Sequence, residues 1–298
     1  MNTTVGINRI DVLCVGSSHA FQSIIPAQMY AEKGYSSYVL AGGSRAPWQD
    51  YYYIKEALKD QSPKLIVLDV YKAGGSQAVE AYHDYETVNN LLETPLSINK
   101  IRAVAVSRAD SKLDILLRFP YIHDKFSGFP RPTIDKFYGN RNTLFGYDLQ
   151  TDVEPGSIPQ SVRGVTGTAP INSKNEKYLR KIIEYSQKNG INILLANTPW
   201  PQIDEEGQMY FNYIGKLAKE YNVPFLDGNL YWDEIGIDWS TDRNDKHGHL
   251  NYSGATKYTH WLDEYISEHY DIADHRNDPE YSVYEDGIRW IEEILAQE

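Results

Sequence analysis

Two short stretches of this 298-residue chain hold the residue types that acyl transfer needs. The first is Gly16-Ser17-Ser18-His19, directly after the apolar run Asp11–Val15. The second is Asp242-Arg243-Asn244-Asp245-Lys246-His247-Gly248-His249-Leu250-Asn251. A serine hydroxyl attacks a carbonyl usefully at neutral pH only if a base removes its proton, and a histidine base needs its other ring nitrogen held. An aspartate three or four residues before the histidine can do that across a turn. Read alone, a serine between a strand and a helix is a helix cap. The second stretch alone could be a solvated polar loop, or it could ligate a metal through Asp242, Asp245, His247 and His249. No further histidine or carboxylate cluster falls at another strand end, so the expectation is no metal and no cofactor.

The elements around these stretches must bring them together. Five short apolar runs, at 11–15, 37–40, 64–70, 191–197 and 223–226, read as buried strands. Helices are expected over 20–33, 48–60, 175–189, 205–221 and 252–270, several closed by glycine. Strands alternating with helices at this spacing predict a three-layer α/β/α sandwich around a mainly parallel five-stranded sheet. Residues 72–172 break the rhythm. Helices are expected over 78–92, 97–108 and 111–117, then a stretch rich in Gly, Pro, Asn and Thr that is too long for a simple connection. The expectation is one domain over 1–298, with 72–172 an inserted cap of helices and loops and 271–298 an acidic appendage, helical over 283–295. Residues 227–249 read as loop.

A strand that ends on Gly-Ser-Ser and turns into a helix places Ser18 at the carboxyl end of the sheet. It also aims backbone N–H groups and a positive helix end at that place. The second strand ends similarly, in Ala41-Gly42-Gly43-Ser44.

Bulk composition narrows the partners. A net charge of −12 disfavours nucleic acid and anionic membrane surfaces. The one cysteine, Cys14, allows no internal disulfide. No apolar run is long enough to span a bilayer, and Met1–Arg9 lacks the apolar core of a signal peptide. The compartment is left open. His19 is expected to line the pocket, His123 in the insertion reads as a surface histidine with reaching over the site as the alternative, and His83 is given no role. Trp48, Trp200 and Trp239 lie near strand ends, where an aromatic face could stack on a sugar, although core packing is the default. Asn197-Thr198-Pro199 falls on the same rim.

Together, Gly16-Ser17-Ser18, a glycine turn after the second strand, and Asp…His249-Leu250-Asn251-x-x-Gly254-Ala255 resemble the SGNH (GDSL-like) hydrolase superfamily. Within it, the chain is similar to bacterial proteins that carry Gly-Ser-Ser-His in place of Gly-Asp-Ser-Leu. The resemblance spans about 11–270 and implies a flavodoxin-like fold. It implies Ser18 as nucleophile and His249 as base. Asp245, or as an alternative Asp242, would orient the base, although the family spacing Asp-x-x-His would put the acid at position 246. The resemblance also implies the N–H groups of Ser18 and Gly43, or Gly42, as oxyanion donors. The implied activity is a serine esterase removing a small acyl group, such as acetyl, from a glycan or cell-envelope ester. An O-acyltransferase or a catalytically silent glycan-binding protein is the alternative. One departure stands out. The family has an asparagine after the third strand to complete the oxyanion hole, and Asp69-Val70-Tyr71-Lys72-Ala73-Gly74 has none. Tyr71, Arg45 or a residue of the insertion would have to substitute, since one donor is worth about two to three orders of magnitude in turnover.

Overall fold

The structure, a computed structural model, describes residues 9–75, 84–110, 112–117 and 144–297. His83, His123, the first part of the helix expected over 78–92 and the part of the insertion over 118–143 lie outside the described residues.

The apolar runs form β1 (Val12–Gly16), β2 (Ser37–Ala41), β3 (Leu65–Asp69), β4 (Asn192–Asn197) and β5 (Phe225–Asp227). They pair in the order β2-β1-β3-β4-β5, and every pairing is parallel. Successive side chains feed two cores. Leu13, Val15, Ile66 and Leu68 enter one, and Val12, Cys14, Leu65 and Val67 the other. Burial on both faces is why these runs read as continuously apolar rather than alternating. The expected α/β/α sandwich with five strands is what forms. Its strand order reverses between β1 and β3, and in such sheets the crevice for ligands opens at the carboxyl ends there.

The helices follow in chain order. They are α1 (Ser18–Phe21), α2 (Pro26–Lys33), α3 (Pro47–Ala57), α4 (Asp84–Glu93), α5 (Ile98–Val106) and α6 (Lys112–Leu117). Then come α7 (Ser173–Lys188), α8 (Glu205–Glu220), α9 (Gly228–Ile235), α10 (Tyr252–His269) and α11 (Val283–Leu295). Ile54 of α3, Leu179 and Ile183 of α7, and Ile214 and Leu217 of α8 cover one sheet face. Ile235 of α9 and Tyr258, Leu262 and Ile266 of α10 cover the other. Leu91, Val104 and Ile115 of α4 to α6 pack on Trp48 and Tyr52 of α3. Among the described residues, no helix is long and apolar enough to cross a membrane.

The structure corrects two expectations. The single helix over 20–33 is two, because Pro26 at the start of α2 has no N–H to continue the ladder and its ring clashes with the preceding turn. The loop expected over 227–249 contains α9, whose first turn is capped by Asp227 accepting from the Asn229 N–H at 3.2 Å. Residues 144–147, within the stretch 72–172, run beside β2. The Phe145 carbonyl accepts from the Val39 N–H at 2.9 Å, along the free edge of β2. Gly146 makes this approach possible, since a Cβ there would lie 2.0 Å from the Val39 oxygen. The acidic appendage is docked, with the Tyr284 hydroxyl donating to the Ser37 carbonyl at 2.7 Å.

Candidate active site

Two adjacent serines follow β1, and they take different jobs. The Ser17 hydroxyl accepts from the His19 N–H at 3.3 Å, which caps α1. It also donates to Asp69 Oδ2 at 2.8 Å, and the Ser17 N–H donates to the same oxygen at 3.2 Å. Asp69 Oδ1 accepts from the Tyr71 N–H at 3.0 Å. Burial pushes the Asp69 carboxyl up, against the pull of the Tyr71 and Ser17 donors. This buried carboxylate thereby ties the turn after β3 to the turn after β1. Gly16 is required between them, because a Cβ there would lie 2.5 Å from the Asp69 Cβ. With the cap supplied by Ser17, the Ser18 hydroxyl is left free of the backbone. The helix it starts is a single turn of four residues, so the positive helix end expected at the site is short.

Ser18 Oγ lies 2.8 Å from His249 Nε2, and His249 Nδ1 lies 2.7 Å from Asp245 Oδ2. Asp245 Oδ1 accepts from the backbone N–H groups of His247 at 2.9 Å and His249 at 3.2 Å. Burial works to raise the Asp245 carboxyl, but these bonds and the His249 ring outweigh it and hold it below the usual carboxylate range. The four-residue spacing is absorbed by a tight turn. The Gly248 N–H donates to the Asp245 carbonyl at 3.3 Å, with Gly248 at φ +84°. That left-handed residue folds the carboxylate back beneath the ring of His249. Asp242, the alternative acid, points elsewhere. Its buried carboxylate accepts from the Asp238 N–H at 2.8 Å and from Lys257 Nζ at 2.6 Å.

A second loop braces the first. The indole N–H of Trp200 donates to the His247 carbonyl at 3.1 Å, and the Gln202 amide donates to the Lys246 carbonyl at 2.9 Å. Gly248 faces this loop so closely that a Cβ would meet Pro201 at 2.6 Å. Nothing in the local sequence marks Gln202 for this task, because its partner is 44 residues away.

The Ser18 hydroxyl opens into a cavity of about 590 Å³. Gly42, Gly43 and the α4 residues Glu86 and Asn89 form one wall, and Tyr71, Lys72 and Trp200 another. The Asn90 amide donates to the Gly43 carbonyl at 2.9 Å and so fixes the glycine turn to α4. His19 also lines the cavity, stacked on Tyr71 with ring centroids 3.5 Å apart and 4.5 Å from the ring of His249. Burial, with His249, Lys72 and His247 nearby, pushes His19 well below the usual range, so it is a neutral wall. Arg45 does not reach the cavity. It is buried over the Tyr53 ring at 3.7 Å and donates to the Leu40 carbonyl at 3.0 Å. Trp48 and Trp239 are core residues, so of the three tryptophans only Trp200 lines the cavity. Asn197 is buried beneath the rim, its amide donating to Asp227 at 3.3 Å. Among the described residues, no group of three or more His, Cys, Asp or Glu is placed to hold a metal ion. The arrangement can pass a proton from the Ser18 hydroxyl to His249 while Asp245 steadies the ring.

No protein-family model matches the chain, and no curated protein does. Solved structures are similar over most of its length. One, from Desulfitobacterium hafniense, is described as a lipolytic protein of the G-D-S-L family, with 12% identity and a TM-score of 0.44, covering 85% of this chain and 97% of that one. A GDSL-like lipase from Bacteroides thetaiotaomicron has 10% identity and a TM-score of 0.39, covering 86% of this chain and 87% of that one. A protein from Bacteroides fragilis described as an acylhydrolase has 13% identity and a TM-score of 0.41, covering 88% of this chain and 91% of that one.

Proposed function

We propose that this chain is a serine ester hydrolase of the SGNH kind. The observation that carries the reading is the unbroken relay from Ser18 Oγ to His249 Nε2 at 2.8 Å and from His249 Nδ1 to Asp245 Oδ2 at 2.7 Å. In the proposed reaction Ser18 attacks the ester carbonyl as His249 takes its proton. The N–H groups of Ser18 and Gly43 bond the oxyanion. As the tetrahedral adduct collapses, His249 returns the proton to the leaving alkoxide, and water repeats the cycle on the acyl-enzyme. Asp245 keeps the ring in the tautomer that presents Nε2 to the hydroxyl.

The substrate we propose is a small acyl ester, such as an acetyl group, on a sugar. The cavity supports this through the pairing of hydrogen-bonding side chains on α4, Glu86 and Asn89, with the aromatic rings of Tyr71 and Trp200. The test is turnover of p-nitrophenyl acetate by wild type beside Ser18→Ala and His249→Ala. Each substitution is expected to lower kcat about 10³-fold or more. Equal, slow rates for all three proteins would sink the hydrolase reading. Adding an acylated polysaccharide and a free sugar acceptor then separates hydrolysis from acyl transfer.

A further inference from the structure

The turn after β3 carries a positive charge, Lys72, whose nearby carboxylate Asp69 is already bonded elsewhere. Lys72 is half-buried and lines the same cavity as Ser18 and Gly43. Its ammonium lies 5.3 Å from the Tyr71 ring centroid, and among the described residues it makes no hydrogen bond or ion pair. Asp69, itself buried, already receives donors from Ser17 and Tyr71 on its two oxygens. The Lys72 backbone is held from the other side, its carbonyl accepting from the Asn175 amide at 3.2 Å. Burial pulls the Lys72 ammonium below the usual lysine range, with Asp69 opposing. Keeping an ammonium half out of water without a partner costs stability, so a fold retains it at a cavity wall when an anion visits that wall.

Sheet order says which anion. The strand β1 lies between β2 and β3, so the Ser18 turn is flanked by the Gly42-Gly43 turn on one side and by Tyr71-Lys72 on the other. The oxyanion hole lacks a donor on the β3 side, where Asp69-Val70-Tyr71-Lys72 has no asparagine. Tyr71, its ring stacked on His19, offers only a neutral hydroxyl on that side, and His19 itself is neutral. Lys72 is the charged donor on that side.

We propose that Lys72 is a catalytic residue that contacts the oxyanion from the β3 side, in place of the missing asparagine. The proposal rests on the hydrolase reading. The Ser18 oxygen forms a bond to the carbonyl carbon, and the carbonyl π pair moves onto its oxygen. The proton goes to His249, and Lys72 keeps all of its own protons throughout. When the adduct collapses, the pair returns, the bond to the leaving oxygen breaks, and His249 protonates that oxygen.

The test compares Lys72→Met, Lys72→Gln and Lys72→Arg on neutral p-nitrophenyl acetate and on anionic mono-p-nitrophenyl succinate. The expected result is that K72M and K72Q lower kcat about 10²-fold on both esters, with KM nearly unchanged and K72R restoring most of the loss. Their melting temperatures should equal or exceed that of wild type, because a desolvated charge has been removed. An unchanged kcat on the neutral ester overturns the proposal, and a KM effect confined to the succinate ester would mark Lys72 as a binder of anionic substrates instead. A melting temperature lowered in both K72M and K72Q also overturns it, since that marks a structural lysine. Wild type and S18A are measured first. Absent Ser18-dependent turnover sinks the hydrolase reading and this proposal together, whereas turnover that survives in K72M sinks this proposal alone.

Discussion

At the scale of single residues, the site depends on which side chains are left free. Ser17 is consumed by its cap and by Asp69, and this releases Ser18 to face His249. Asp245 and Asp242 are three residues apart, yet they hold different partners, and replacing each by asparagine should separate them. Asp245→Asn is expected to lower kcat on p-nitrophenyl acetate about 10³- to 10⁴-fold while the melting temperature stays near wild type, because the amide can no longer fix the productive tautomer. Asp242→Asn is expected to do the reverse, lowering the melting temperature through the lost Lys257 pair and leaving kcat near wild type. Ser18 and His249 were legible in the sequence because each belongs to a short motif at a strand end. The choice between the two aspartates was not. It turns on the left-handed conformation of Gly248, and a glycine allows that conformation without announcing it. Nothing in the residues around Lys72 singles it out in the sequence. Its place at the cavity wall, without a hydrogen bond or ion pair among the described residues, is a property of the fold.

At the scale of elements, the proposed chemistry depends on two loops from different strands holding one another. The 245–249 turn hangs from α10, and the segment 200–202 that braces it follows β4. Gly248→Ala sets a Cβ at 2.6 Å from Pro201 and strains a backbone at φ +84°. It is expected to lower kcat about 10- to 100-fold by displacing His249, since an error of about 1 Å in placement can cost that much. Gln202→Ala removes one brace and should give a smaller loss of the same kind. Steady-state kinetics on both variants, with melting curves as the control for folding, check this. A full wild-type rate in G248A would mean that the brace is dispensable. The strands were readable because they are buried on both faces and so carry short, nearly unbroken apolar runs. The break between α1 and α2, the helix α9 and the edge segment 144–147 were not. Each is set by a local cap, a proline or a contact with a strand more than a hundred residues distant, and apolar periodicity records none of these.

At the scale of the whole molecule, one group sets a pH dependence of stability that is independent of the site. Asp263 of α10 is fully buried, and among the described residues neither carboxylate oxygen has a hydrogen-bond partner. Burial and then Glu32 push its carboxyl well above the usual range, with Lys33 opposing and Glu264 adding to the rise. Cys14 and Tyr35 also face it, and burial first, with Asp263 second, pushes both up. The folded protein therefore keeps a proton on Asp263 that the unfolded chain releases above about pH 4. Folded-state proton binding in excess makes stability fall as pH rises from there. Asp263→Leu removes the group, so the melting temperature of the variant relative to wild type should climb as pH is raised from about 4 to 7. Melting curves that run parallel across that range would contradict the assignment. The central claim concerns Ser18, and covalent labelling reaches it most directly. Wild type, S18A and H249A are treated with a fluorophosphonate, and the intact mass and the labelled peptide are determined. The expected result is a single adduct on Ser18 in wild type, none in S18A and markedly slower labelling in H249A. An adduct on Ser17, or labelling of wild type no faster than of S18A, would contradict the account.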